Sequence, residues 1–74
     1  MIPYEASIEK SMKQFYETLS EKDKRRYAGV EALKLGHGGV AYITHILGCN
    51  RKTVLKGLRE IHALSSAEGA KKNE

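Results

Sequence analysis

Apolar residues recur at helical spacing along most of the chain. Tyr4, Ile8, Met12, Phe15 and Leu19 follow one another at steps of four or three, which places them on one stripe and predicts an amphipathic helix from Pro3 to Leu19. Pro3 sits near its start, where a missing amide donor is harmless. Ser20 is suited to accept from the amide of Asp23, and Glu21 and Asp23 suit the positive end of a helix dipole, so a second helix should begin there and run to Leu35. Its apolar residues, Tyr27, Ala28, Val30, Ala32, Leu33 and Leu35, form two stripes rather than one, and the spacing leaves its inward face open.

Three glycines in the run Gly36, His37, Gly38, Gly39 break the pattern, because that much backbone freedom is costly to hold in a helix. Helical spacing resumes with Val40, Ile43 and Leu47 on one face and stops at Gly48. Asn50 is a good N-cap for a last helix whose inward stripe is Val54, Leu58 and Ile61. From Ala63 onward the periodicity fades into small and polar residues. The expected fold is all-α: a small bundle of about four helices containing a helix-turn-helix, with an additional amphipathic helix at the N-terminus. Residues 1–64 form the domain, and 65–74 are expected to be a flexible tail.

The helix-turn-helix expectation rests on Val40 to Ile61. A short helix, a corner opened by Gly48 and a second helix led by Asn50 match a motif whose turn must bend sharply. Thr44 is a modest side chain where the helices would meet, and Cys49 would fill the small apolar gap between them.

Charge sharpens this picture. The net charge is +4, yet residues 1–31 carry six basic and six acidic side chains and residues 65–74 carry two of each. The excess lies between 32 and 64, where Lys34, Arg51, Lys52, Lys56 and Arg59 are set against Glu60 alone. Projected at about 100° per residue with Val54 at zero, Leu58 falls near 40° and Ile61 near −20°, whereas Lys52, Lys56 and Arg59 fall at roughly 160°, 200° and 140°. A helix with opposed apolar and cationic sides is suited to lie in a DNA major groove. The candidate DNA contacts are Arg51, Lys52, Thr53, Lys56 and Arg59, with Asn50 either capping the helix or touching a phosphate. Gly38 and Gly39 precede free amides that suit a phosphate, and they also suit a plain turn. Lys22, Lys24, Arg25 and Arg26 form a second basic run, interspersed with or near Glu21, Asp23 and Glu31, and read equally as a solvated face.

Residues 16–58 resemble the N-terminal region of ISAzo13-family transposases. The runs that carry the resemblance are Leu-Ser-Glu-Lys-Asp-Lys-Arg-Arg-Tyr-Ala-Gly-Val-Glu-Ala-Leu-Lys-Leu-Gly-His-Gly-Gly-Val (19–40) and Leu-Gly-Cys-Asn-Arg-Lys-Thr-Val-Leu-Lys-Gly-Leu (47–58). The resemblance implies binding to the ends of an insertion element. It also implies a DDE-type catalytic domain downstream of this region, with three carboxylates and two metal ions. None of those carboxylates corresponds to a residue of this chain, so a detached or truncated binding domain is expected.

Seventy-four residues leave room for one core and no separate catalytic domain. His45 and Cys49 are two ligands where a structural zinc site needs four, and no nucleophilic triad or phosphate loop is recognisable. The expectation is therefore no enzyme, no cofactor, no metal and no small-molecule substrate. One cysteine, no signal peptide and no apolar run near the ~20 residues that span a bilayer predict a cytoplasmic protein without a membrane partner. The expected partner is double-stranded DNA. The alternatives are a helical interaction module, such as a homodimer through the N-terminal helix, or a small transcriptional regulator.

Overall fold

The computed structural model describes residues 2–72, with side chains as far as Ser66. Four helices follow one another: α1 (Ala6–Glu17), α2 (Glu21–Leu35), α3 (Gly39–Leu47) and α4 (Arg51–Lys72). No strand occurs among the described residues, so the all-α expectation holds. None of these helices is long and apolar enough to cross a membrane.

Local chemistry sets the helix ends. The Ser20 hydroxyl accepts from the amide of Asp23 at 3.2 Å and starts α2, as its sequence suggests. Gly48 closes α3 at φ 67°, a left-handed conformation in which a Cβ would be strained, and its amide donates to the Thr44 carbonyl. Helix α1 is shorter than its periodicity predicts because residues 2–5 are recruited elsewhere. The Tyr4 amide donates to the Tyr42 hydroxyl at 2.8 Å, that hydroxyl donates to Glu9, and the two tyrosine rings pack 5.9 Å apart. A tertiary hydrogen bond to α3 thus replaces the first turn. At the other end, α4 continues as helix through 65–72, the segment set apart in the sequence as a tail; residues 73 and 74 lie outside the described region.

Tyr16, Ala28, Ala32, Ile43, Ile46, Leu47 and Val54 make the core, with Ile43 and Val54 fully buried. Tyr16 was not on the expected α1 stripe. About 40° around the helix from Met12, it draws the inward face away from Ile8 and Phe15, which stay 49% and 53% exposed. Phe15 instead packs edge-on against Tyr27, their ring centroids 5.2 Å apart.

The open question about α2 is resolved in favour of its small residues. Ala28, Gly29 and Ala32 are buried, whereas Val30 and Leu33 are exposed. The cause is the approach of α2 to α4: a Cβ on Gly29 would lie 2.6 Å from the carbonyl carbon of Gly57, and one on Gly57 would fall inside the Arg25 carbonyl oxygen. Each mid-helix glycine sacrifices about 1 kcal/mol of helix propensity. In return the two backbones come close enough to bury Val54 against α2 and α3.

Candidate nucleic-acid interface

The elements that position the cationic side chains are α3, the corner at Gly48 and Cys49, and α4. Asn50 acts as the N-cap: its Oδ1 accepts from the Thr53 amide at 3.0 Å and from the Thr53 hydroxyl at 3.3 Å. This settles the cap role left open for Asn50, a contribution of about 1 kcal/mol to helix stability. Thr53 is half-buried and its hydroxyl is occupied in the cap, while Arg51 and Lys52 project from the first turn.

Burial along α4 follows its projection. Val54 is fully buried, Leu58 packs against the core and Ile61 is half-buried, while Arg51, Lys52, Lys56 and Arg59 are all exposed. None of these four cations is in an ion pair among the described residues. They are therefore free to meet a polyanion without first breaking an intramolecular contact.

The single acid of this segment does not dilute the positive face. Glu60 turns back toward α2, where Arg25 donates from Nε and Nη2 at 3.2 and 2.9 Å to Glu60 Oε2, and Arg26 Nε lies 3.5 Å from Oε1. Lys24 is likewise engaged, 3.7 Å from Glu21 and 5.4 Å above the Tyr16 ring. Three of the four cations in the 22–26 run are thus engaged within the fold, and among the described residues only Lys22 of that run is outside such contacts. Sequence spacing suggested Glu21, Asp23 and Glu31 as neighbours of this run; the partner of Arg25 and Arg26 is Glu60, 35 residues from Arg25, and carried no local signal.

Hydrogen bonding from Arg25 holds the Glu60 carboxyl below its usual range, and the charges of Arg25 and Arg26 add to this. A carboxyl whose folded value is lowered stabilises the fold above its unfolded value near 4.5, and that contribution disappears as pH falls through the lower folded value. Glu60→Gln should therefore reduce the melting temperature at neutral pH, and the melts of the two proteins should converge as the pH falls below 4.5 and through the lowered folded value. Circular-dichroism melts across this range check the point; a gap that stays constant down to the acid limb would contradict it.

Cys49 packs against the core as expected, beside the Tyr16 hydroxyl. Burial pushes its thiol above the ordinary range and pushes Tyr16 up to about 12, so at neutral pH both are protonated and Cys49 is a packing group rather than a thiolate nucleophile. Among the described residues no three His, Cys, Asp or Glu side chains gather as metal ligands. Gly38 is left-handed at φ 83° and its carbonyl accepts from the Tyr42 amide, so the glycine run makes the turn that enters α3. On the side of α4 away from Lys52, Lys56 and Arg59, Val30, Leu33, Leu58, Ile61, His62 and Ser65 line an apolar groove of about 430 Å³.

Compared with known proteins, the chain matches no family model, no curated protein and no solved structure.

Proposed function

We propose that the chain is a helix-turn-helix module that binds double-stranded DNA, with α4 as the helix that enters the major groove. The observation that carries this reading is the free cationic side of α4. Lys52, Lys56 and Arg59 share that side and Arg51 projects from the first turn; all four are exposed and in no ion pair among the described residues, while the neighbouring acid, Glu60, is held by Arg25 and Arg26 of α2. A helix whose opposite side is anchored by Val54 and Leu58 presents those cations on a rigid element, as major-groove readout requires. The resemblance of residues 16–58 to ISAzo13-family transposases supports the ends of an insertion element as the target class.

Titration of duplex DNA by fluorescence anisotropy at several salt concentrations tests the reading. Affinity should fall with salt at a slope of about −0.9 for each phosphate neutralised, so four contacts give about −3.6. No binding at low salt, or binding without a salt slope, would overturn it. A homodimer through α1 has less support: Met12, Tyr16 and Leu19 turn inward, leaving Ile8 and Phe15 as the exposed large hydrophobic side chains of that helix.

A further inference from the structure

Helix α1 brings a cation to the corner of the helix-turn-helix. A methyl group on Gly48 would meet Lys13 Nζ at 3.6 Å and its Cε at 3.9 Å, so the ammonium lies against the exposed turn between α3 and α4. Lys13 is exposed and has neither an ion pair nor a side-chain hydrogen bond among the described residues. The acids one turn away on α1 do not hold it: Glu9 accepts the Tyr42 hydroxyl, and Glu17 is exposed and beyond ion-pair distance. Gly48 is the C-cap of α3, and the negative end of a helix dipole favours a cation there. The ammonium is thus placed at the corner with its donors unoccupied among the described residues.

We propose that Lys13 binds a backbone phosphate beside the N-terminus of α4 and so fixes where that helix sits along the groove. The inference rests on the DNA-binding reading of α4 and adds to it a contact from a helix outside the helix-turn-helix. Gly48 is three residues before Arg51, a span of at most about 11 Å between α-carbons. Nucleotides along one strand rise about 3.4 Å each along the duplex axis, so the offset between Arg51 and the Gly48 corner amounts to no more than about three nucleotides of rise. Contacts of this kind position a protein without reading bases.

The experiment compares Lys13→Gln, Lys13→Arg and Lys22→Gln with the wild type in anisotropy titrations between 50 and 200 mM salt. Lys13→Gln should make the salt slope shallower by about 0.9, so that the wild-type advantage shrinks about 3.5-fold over this range. The effect should be equal on different duplex sequences, Lys13→Arg should restore the slope, and Lys22→Gln, which removes the same charge from α2, should change it less. An unchanged slope in Lys13→Gln, or an equal change in Lys22→Gln, overturns the contact while leaving the reading of α4 standing, because the wild type still binds. A wild type that binds no duplex overturns both.

Discussion

Alanine in place of Gly57 should destabilise the fold by about 3 kcal/mol or more, the largest effect expected of any single methyl group in this molecule. A chain of this length has a total stability of only about 4–11 kcal/mol, and each kilocalorie shifts the melting temperature by about 4–8 °C. The reason is steric. The new Cβ would fall inside the Arg25 carbonyl oxygen, and both partners are backbone, so no rotamer relieves the overlap. The helices must separate, which opens the space around the fully buried Val54. Helix propensity acts in the opposite direction and favours alanine by about 1 kcal/mol, so a measured loss isolates the close approach. Gly29→Ala should behave alike, since its Cβ would meet the Gly57 carbonyl carbon at 2.6 Å. Gly36→Ala is the contrasting case: nothing lies within 4 Å, so its loss comes from the backbone alone, because φ 71° with ψ −134° is a conformation close to glycine's own and costs another residue about 1–3 kcal/mol. Thermal melts of the three variants decide the matter. If Gly57→Ala melted within a few degrees of the wild type, the contact between α2 and α4 would be wrong.

The parts of this fold legible in the sequence are those set by local chemistry. Ser20, Asn50 and Gly48 mark helix ends because a cap or a left-handed residue acts within three or four positions of itself. The outward side of α4 was legible for a related reason: Val54, Leu58 and Ile61 are large, and their stripe leaves Lys52, Lys56 and Arg59 one direction to point. Helices α1 and α2 were harder. A stripe drawn through large apolar residues assumes that the closest contact is made by the largest side chains, whereas α2 approaches α4 through Gly29 and Gly57 and leaves Val30 and Leu33 outside. The signal available was the glycines themselves, since an isolated glycine inside a helical pattern marks a close approach. No comparable signal existed for the pairing of Arg25 with Glu60 or for the placement of Lys13 at the Gly48 corner. Both depend on which helices cross, and neither is encoded in the spacing of a single helix.

Replacing Lys52, Lys56 and Arg59 together with glutamine should abolish most of the electrostatic affinity for DNA while leaving the fold intact. All three side chains are exposed and unpaired among the described residues, so their removal breaks no intramolecular contact, and surface changes of this kind typically alter stability by no more than about 0.5 kcal/mol each. On the proposed reading of α4, the change removes three phosphate contacts. The salt slope should become shallower by about 2.7, so that between 50 and 200 mM salt the wild type loses about 40-fold more affinity than the variant. A melt and a salt titration on the same preparations separate the two quantities. The paired control is Arg25→Gln, which removes one charge from an ion pair inside the fold; its melting temperature should fall while its salt slope stays near that of the wild type. The opposite pattern, with the triple variant binding DNA as the wild type does and Arg25→Gln losing its slope, would move the DNA face from α4 to α2. The assignment of α4 as the groove helix therefore depends on which cations bind DNA and which bind Glu60.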